Sequence, residues 1–278
     1  MTKEIVMGKV LENLEIAKDI FKMTIQSAKV VADAHAGQFV NVYMQDKSML
    51  LPRPISICSM KEDTVTLVYG VVGKGTSELS TYKIGDMIKT STSLGNGFMI
   101  EKILNELEVR TECENKVIAL VGGGVGVSPL VGLARAIRDM QKNIETTRIV
   151  AIIGFQEEPF LVEELEETCN GVYITTDNGS AGFKGNVLEF IKQEKIKADY
   201  YLACGPKPML KALVYHCEEA NTPIQISMEE RMGCGYGACV GCVCKTKQIT
   251  KSGIELVSKK ICKDGPVFLG SEVVWDGR

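Results

Sequence analysis

Four cysteines in the C-terminal part of the chain have the spacing of iron–sulfur ligands. Cys234, Cys239 and Cys242 form the pattern C-x4-C-x2-C, and Cys262 follows after a longer interval. One class of 2Fe-2S site uses this arrangement, and the glycines between these cysteines permit the sharp bends that it requires. The alternative is a structural zinc site, although zinc ribbons usually contain two separated C-x2-C pairs. The sequence therefore predicts a 2Fe-2S cluster on these four thiolates and a packed, non-ligating role for Cys244.

A glycine-rich turn in the middle of the chain indicates a phosphate-binding site. It follows an apolar strand pattern and precedes a helical one, in which Ser128 suits the cap and Pro129 the first turn. Glycines let the backbone approach a phosphate, and a helix N-terminus offers it free amides. Because the turn is not a strict G-x-G-x-x-G motif, a purely structural turn is the alternative. The predicted phosphate-binding residues are Gly122, Gly123, Gly124 and Gly126.

A second turn follows a later strand pattern and consists of Cys204, Gly205 and Pro206. In open α/β sheets, ligands bind beyond the carboxyl ends of the strands, so these residues are predicted to border the same nucleotide. The alternative is that Cys204 is a small buried apolar residue.

Two short segments in the N-terminal part suit a flavin. Arg53, the first residue of the segment 53–56, offers a guanidinium fork that matches a diphosphate, and the Ser56 hydroxyl can meet a flavin ring nitrogen. Gly75 and Thr76 belong to a turn whose amides can reach phosphate oxygens. Each signal is weak by itself, since an Arg-Pro pair is usually part of a turn.

The pattern of apolar and polar residues predicts three parts and a multidomain fold. The chain has 278 residues, enough for about two domains and a small third one. Residues 1–100 show short alternating runs typical of an antiparallel β-barrel, and this part contains both flavin-suited segments. Residues 101–225 alternate apolar strands with helices, which predicts a doubly wound parallel α/β sheet that contains both nucleotide-suited turns. Residues 226–278 form the predicted small 2Fe-2S module.

Charge and hydropathy exclude several classes of protein. The formal net charge of −3 gives no chain-wide field for nucleic acid or for an anionic membrane. Residues 117–134 are uncharged, but their glycines and proline indicate a strand, a turn and a helix rather than a membrane span. The first residues do not match a secretory signal. We therefore expect a cytoplasmic protein, in which clustered cysteines are more often ligands than disulfides.

Together these motifs resemble the ferredoxin-reductase superfamily over essentially the whole chain. Within it, the sequence is most similar to the family of electron-transfer subunits of class 1B, NAD-dependent dihydroorotate dehydrogenases. The superfamily prefers an aromatic residue where Ile55 stands, and this departure agrees with the subunit family. The segments that narrow the resemblance are 51–57, 71–76, 94–98, 229–232 and 262–268.

The resemblance implies three cofactors and a partner. The cofactors are FAD, a 2Fe-2S cluster and NAD, and the partner is a separate FMN-containing catalytic subunit that oxidises dihydroorotate in pyrimidine biosynthesis. Two subunits of each kind usually form a heterotetramer, in which electrons pass from FMN through the cluster and FAD to NAD. Ser56 would lie near the reactive flavin nitrogen and Cys204 near the nicotinamide. The implied FAD contacts are Arg53, Pro54, Ile55, Ser56, Val68, Tyr69, Gly70, Gly75 and Thr76.

Two other functions remain open at this point. The same three modules could form a subunit of an NADH-ferredoxin oxidoreductase or of a sulfhydrogenase-like complex. A non-catalytic nucleotide-sensing module held together by zinc belongs to a different class. The sequence by itself identifies no residue that would select NAD over NADP.

Overall fold

The computed structural model of the chain describes residues 3–110, 116–141, 147–250 and 253–275. These residues form a closed barrel, a seven-stranded sheet and a two-stranded hairpin. The multidomain fold class predicted from the sequence is therefore confirmed.

The barrel contains six antiparallel strands, and its first and last strands pair to close it. Apolar side chains fill its interior because they alternate with outward-facing residues along each strand. In the third strand, for example, Val40 and Val42 belong to the interior core. The elements are β1 (Ile5–Ala17), β2 (Ile20–Gln26), α1 (Ala28–Val31), β3 (Phe39–Tyr43), β4 (Arg53–Lys61), β5 (Thr64–Gly70), α2 (Lys74–Ser80) and β6 (Met87–Ser91). Their order around the barrel is β1-β2-β5-β4-β3-β6.

The middle part of the chain forms six parallel strands with helices between them. Apolar runs such as residues 117–121 suit strands that are covered on both faces. The elements are α3 (Ile100–Arg110), β7 (Lys116–Gly123), α4 (Ser128–Met140), β8 (Thr147–Phe155), α5 (Val162–Glu166), β9 (Gly171–Thr176), β10 (Phe183–Lys184), α6 (Val187–Gln193), β11 (Tyr200–Cys204), α7 (Lys207–Glu219) and β12 (Ile224–Ser227).

The C-terminal part supplies a hairpin, a short helix and one further strand of the sheet. These elements are β13 (Val243–Thr250), β14 (Gly253–Lys260), α8 (Ile261–Asp264) and β15 (Val267–Leu269). Strand β15 pairs antiparallel with β12, so the sheet order is β10-β9-β8-β7-β11-β12-β15. The predicted boundary near residue 225 stays a prediction, although a strand from beyond it completes the sheet of the middle part.

The strand order reverses between β7 and β11, which lie side by side. Chain order leads from β7 to β8, β9 and β10 on one side, and then back to β11 and β12 on the other. A crevice opens at such a reversal because the connections leave in opposite directions. Gly122 and Cys204 are directly opposite each other at this point. The two turns singled out in the sequence therefore meet at the carboxyl ends of adjacent strands.

The uncharged residues 117–134 form most of β7, a turn and the first half of α4, as predicted. Pro129 lies in the first turn of α4, which confirms its expected place. The expected cap at Ser128 is wrong, because Val127 holds the cap position and Ser128 already has helical backbone angles. Among the described residues, no helix is long and apolar enough to cross a membrane.

Helix α4 also packs directly against the barrel. The place of contact is Gly132, where a Cβ atom would lie 2.6 Å from the carbonyl oxygen of Cys58 on β4. Real Cβ atoms do not approach a backbone oxygen so closely, so only glycine allows α4 to reach β4 at this distance. On β2, which β5 separates from β4, Lys22 pairs with Glu164 of α5 at 3.3 Å. The barrel and the sheet are thus held together at defined points.

We predict that Gly132→Ala destabilises the protein although alanine favours a helix by about 1 kcal/mol over glycine. The added methyl group must push α4 away from β4, and such overpacking typically costs about 1–3 kcal/mol. The midpoint of thermal unfolding should fall by about 2–6 °C. A variant that is as stable as the parent protein would contradict the close packing of α4 on β4.

Candidate functional site

One cavity of about 520 Å³ lies between the barrel, the sheet and the C-terminal part. Its size is in the range of cofactor and substrate pockets. Most of the predicted flavin and nucleotide residues line it together. They are Arg53, Pro54, Ile55, Ser56, Val68, Tyr69, Gly70, Thr76, Gly123, Gly124, Gly126, Cys204, Gly205 and Pro206.

Arg53 and the start of α2 form one end of this cavity. Gly75 does not line the cavity but lies behind it, where a Cβ atom would come within 2.3 Å of Nε of Arg53. The guanidinium of Arg53 is also held by the carbonyl oxygen of Leu51 at 2.5 Å. The Thr76 hydroxyl accepts hydrogen bonds from the amides of Val72 and of the next residue. Thr76 therefore shapes the turn, whereas Arg53 supplies a fixed cation.

The two turns at the strand reversal form the opposite wall. Gly126 permits them to touch, since a Cβ atom there would lie 2.5 Å from the carbonyl oxygen of Cys204. Gly124 has a φ of +54°, a conformation that favours glycine. Gly122 is buried beneath the turn against Leu130 and does not line the cavity. The turn thus presents its backbone, rather than side chains, to the cavity.

Cys204 lies on the cavity wall as a neutral thiol. Burial raises the pKa of this thiol to about 12, although a hydrogen bond with the Ser227 side chain lowers it. The nearby carboxylate of Glu229 raises the pKa further. A thiol with such a pKa stays protonated near neutral pH and cannot act as a nucleophile there. What Cys204 offers is a small, uncharged contact surface with one weak donor.

Several residues of this cavity had no predicted role in the site. Glu229 and Glu230 come from the C-terminal part, and Lys207 is paired with Glu230 at 2.5 Å. Their place directly after the last parallel strand is the signal that could have identified them, because ligands bind at such strand ends. The other cavity residues outside the predicted set are Phe39, Val72, Val125, Ser227, Met228, Met232 and Pro266.

The four predicted cluster ligands lie close together as two pairs. The thiols of Cys234 and Cys239 are hydrogen-bonding neighbours, and so are those of Cys242 and Cys262. Cys244 lies on β13 beside this group, where burial raises the pKa of its thiol to about 11. The structure therefore brings all four predicted ligands into one small region, with Cys244 at its edge.

Backbone amides are directed at the sulfur of Cys234. The amides of Tyr236 and Cys239 donate to Sγ at 3.3 and 3.4 Å. Burial alone would raise the pKa of Cys234, but the hydrogen bonds from these amides and the Cys239 thiol lower it to about 6. Cys262 differs, because burial, followed by the Cys242 thiol, raises its pKa to about 12. Amides placed in this way stabilise negative charge on sulfur.

The paired arrangement suits a two-iron cluster. In a 2Fe-2S cluster each iron takes two protein ligands, so two pairs of thiols are the expected donor set. The amides around Cys234 also suit a cluster, since hydrogen bonds to sulfur tune its potential.

The four thiols differ strongly in exposure. Cys242 and Cys262 are 2% and 1% exposed and belong to an apolar core that also contains Phe39 and Leu94 of the barrel side. Cys239 is exposed, together with the neighbouring Val240. A group bound here would have one edge buried toward the barrel and one edge open to solvent.

Comparison with family models assigns two regions of the chain. Residues 229–274 match the model for the iron-sulfur cluster binding domain of dihydroorotate dehydrogenase B. Residues 120–214 match the model for the oxidoreductase NAD-binding domain. The first region contains the four paired cysteines, and the second contains both turns of the strand reversal.

Curated relatives match nearly the full length of the chain. One is the electron transfer subunit of dihydroorotate dehydrogenase B (NAD(+)) from Caldanaerobacter subterraneus subsp. tengcongensis, which is 38% identical over 96% of this chain and 98% of its own. The protein of the same name from Clostridium acetobutylicum is 37% identical over 99% of both chains.

Solved structures share the fold. A chain of NADH-dependent reduced ferredoxin-NADP oxidoreductase superimposes with a TM-score of 0.77 at 30% identity, covering 97% of this chain and 90% of that one. A ferredoxin NADP+ reductase from Neisseria gonorrhoeae, solved with bound FAD and NADP, has a TM-score of 0.59 at 17% identity. It covers 77% of this chain and 91% of its own. The second likeness concerns the fold alone.

We predict that Cys239→Ser abolishes cluster assembly, whereas Cys244→Ser does not. The first change removes one thiolate of a pair, and the second removes a neighbouring thiol that belongs to neither pair. Iron and acid-labile sulfide should fall to background only in the Cys239 variant, with bound flavin retained in both. Metal analysis and the visible spectrum measure this, and an intact cluster in Cys239→Ser would contradict the assignment.

Proposed function

Because the chain belongs to the family of dihydroorotate dehydrogenase B electron transfer subunits, we propose that it carries electrons from the FMN of a catalytic subunit to NAD. FAD and a 2Fe-2S cluster are its own redox groups. The observation that carries the proposal is the single cavity lined by the flavin strand β4, by both turns of the strand reversal and by the segment leading to the cysteines. All three parts of the chain therefore meet at one place.

The residues that hold the cofactors are those of the cavity and of the thiol pairs. FAD takes the barrel side, where Arg53 neutralises its diphosphate and the segments 53–56 and 68–70 line its ring. NAD takes the turns 122–126 and 204–206, whose backbone can approach a diphosphate closely. The cluster takes the two pairs, Cys234 with Cys239 and Cys242 with Cys262. When bound, the flavin exchanges single electrons with the cluster and a hydride with the nicotinamide.

The protein side chains orient the reactants and exclude competing chemistry. Ser56 offers its hydroxyl to the ring nitrogen that exchanges the hydride, and Cys204 stays protonated, so it places no charge beside the nicotinamide. Ser227 holds the Cys204 thiol by a side-chain hydrogen bond. Glu229 adds a carboxylate at the same wall, where it can relay a proton to and from solvent because it is exposed.

A partner subunit completes the function. The relatives are named as electron transfer subunits of dihydroorotate dehydrogenase B, so the catalytic subunit that oxidises dihydroorotate is the electron donor here. The exposed Cys239 edge faces that subunit, and two chains of each kind form a heterotetramer. We place the complex in the cytoplasm, since clustered cysteines are more often ligands than disulfides in a reducing compartment and the nine described cysteines form no disulfide.

An anaerobic titration of the purified chain with NADH tests this function. NADH should bleach the flavin absorbance first and the cluster absorbance afterwards, because the nicotinamide delivers a hydride that only the flavin accepts. The chain reconstituted without iron should show the flavin phase alone. Failure of NADH to bleach either chromophore in the loaded protein would refute the proposed electron path.

A second candidate has one observation in its favour. The structure that superimposes at a TM-score of 0.77 is an NADH-dependent reduced ferredoxin-NADP oxidoreductase, so a ferredoxin could replace the catalytic subunit as electron donor. The curated relatives are more similar in sequence, at 37–38% identity, and favour the dihydroorotate dehydrogenase complex. Co-expression with a candidate catalytic subunit separates the two, because only the first function yields orotate from dihydroorotate with NAD.

The geometry also indicates which nucleotide is preferred. The nicotinamide lies at Cys204 on β11, so the adenosine extends across the strand reversal toward β8 and β9. The loops after these strands are joined, since the amide of Asp177 donates to the carbonyl oxygen of Phe155 at 3.1 Å. Exposed carboxylates of Glu157 and Asp177 border this region. They can accept a bond from a ribose hydroxyl but repel a 2′-phosphate.

We predict that NADH exceeds NADPH by at least about tenfold in kcat/KM, a difference of about 1.4 kcal/mol. Asp177→Ser should narrow this preference, because it removes one repelling charge. Glu166→Ser, which changes an exposed carboxylate on α5, is the matched control and should leave the preference unchanged. Steady-state rates of ferricyanide reduction give kcat/KM for NADH and for NADPH. Equal kcat/KM values for NADH and NADPH in the parent chain would contradict the proposed role of the Glu157 and Asp177 carboxylates.

A further inference from the structure

The outer face of β3 is covered by the cysteine loop instead of solvent. Val40 and Val42 point into the barrel, so Phe39, Asn41 and Tyr43 point outward. Asn41 is nevertheless 0% exposed. We infer that Asn41 and Asn96 of the barrel are positioning residues that hold the two cluster-binding segments at a fixed place beside the flavin strand.

Asn41 holds the segment that carries three of the ligands. Its Nδ2 donates to the carbonyl oxygen of Cys234 at 2.9 Å. Gly235 has a φ of +73° and lies directly against the amide, where a Cβ atom would come within 2.5 Å of Nδ2. A second contact lies next to it, because the hydroxyls of Tyr43 and Tyr236 are hydrogen-bonded at 2.8 Å. The loop is thus held on β3 by side chains of two successive outward positions.

Asn96 holds the segment that carries the fourth ligand. Its Nδ2 donates to the carbonyl oxygens of Lys263 and Asp264 at 3.2 and 3.1 Å, immediately after Cys262. The backbone amide of Asn96 donates to the carbonyl oxygen of Gly265 at 2.6 Å. Asn96 lies in the segment 94–98, which the sequence singled out without giving it a role. Both ligand segments are therefore bound to the barrel by an asparagine amide.

The chemistry of Asn41 favours a specific role over simple packing. Its Oδ1 is buried and has no hydrogen-bond partner among the described residues. A buried acceptor without a partner is costly, so a position that needed only packing would favour an apolar residue. The loop around Cys234 has no helix or strand between Met228 and Cys242, so a few side-chain bonds determine where it lies. The donor on Asn41 is one of these bonds.

Strand β3 connects the contact between Asn41 and the cysteine loop to the proposed flavin site. Asn41 is directly opposite Pro54 of β4 in the barrel, and Phe39 is opposite Ser56. Adjacent strands are separated by about 4.8 Å. The cysteine loop is therefore placed against the flavin strand through a single intervening strand. Moving the loop on β3 changes the separation and the environment of the cluster relative to the flavin.

The test uses the full chain with single substitutions, of which those at the buried positions Asn41 and Gln225 keep the side-chain size. Asn41→Leu keeps the side-chain volume but removes the donor to the Cys234 carbonyl. Asn96→Ala removes the side-chain bonds to Lys263 and Asp264 at an exposed position. Gln225→Met is the matched control, because Gln225 is also 0% exposed and its amide bonds Met99 and Tyr200, away from the cysteines. The readouts are iron per chain, the rate of iron release to a chelator, the electron paramagnetic resonance spectrum of the reduced cluster and the unfolding midpoint.

We expect Asn41→Leu to release iron at least about fivefold faster than the parent chain and to change the resonance spectrum, because loss of one hydrogen bond loosens the loop. Its unfolding midpoint should change little, because the lost bond to the Cys234 carbonyl is offset by removal of the buried unpaired acceptor of Asn41. Asn96→Ala should also release iron faster. Gln225→Met should keep the release rate within about twofold of the parent value.

Parent-like iron release and spectra in both asparagine variants would overturn the inference, whatever their stability. If Asn41→Leu does not fold, Asn96→Ala alone decides, because its side chain is exposed and its loss leaves no buried unpaired group. The inference rests on the proposed function, and the two fail differently. A parent chain that binds no iron refutes the cluster itself, whereas a loaded parent with unaffected variants refutes only the positioning role.

Discussion

The antiparallel pairing of β15 with β12 is the constraint on which the arrangement of the redox groups depends. The ladder joins Gln225 to Leu269 and Ser227 to Val267, and the amide of Met228 extends it to the carbonyl oxygen of Pro266 at 2.9 Å. The segment 228–266 therefore leaves the edge of the sheet and returns to the same point. Its first ligand, Cys234, and its last, Cys262, are brought into one neighbourhood in this way.

The hairpin β13–β14 accounts for the unequal exposure of the thiols. Cys242 and Cys262 lie beside the end of this hairpin at which Val243 pairs with Lys260, and the amide of Ile261 donates to the carbonyl oxygen of Cys242 there at 2.9 Å. They share an apolar core with the sheet and with Phe39 of the barrel. Cys239 lies in the loop before the hairpin and is exposed. A cluster bound by both pairs therefore has an inner and an outer edge, as an electron carrier between two subunits requires.

Local spacing predicted much of the site, because its chemistry is concentrated in short segments. The cysteine pattern, the glycine turn and the Cys204 turn each depend on residues that are close in sequence. The structure brings the four cysteines into one group and the two turns to one cavity. Asn41 was missed, and Glu229 was left without a role, for a different reason. Their roles depend on which strands become neighbours, and a single antiparallel strand at the edge of a parallel sheet leaves no periodic signal in the sequence.

Whether a polar residue is buried also depends on which segments become neighbours. Val40 and Val42 lie inside the barrel, and by the alternation of side chains along a strand Asn41 would face solvent. It is buried because the cysteine loop covers that face. Ser128 is a comparable case, since its residue type suits a cap but the turn before it continues as helix through Val127. In both cases the surroundings, rather than the residue type, determine the outcome.

Helix α4 joins these constraints, because it contributes to the nucleotide wall and to the barrel contact at once. Its N-terminus continues the glycine turn at the strand reversal, and one turn later Gly132 rests on the carbonyl oxygen of Cys58 in β4. The same strand begins with Arg53 and Ser56 on the cavity wall. The distance between the flavin wall and the nucleotide wall is thus set by a helix that touches both. A hydride transfer tolerates little variation in that distance, so the close contact of α4 with β4 is as important for the reaction as the residues that line the cavity.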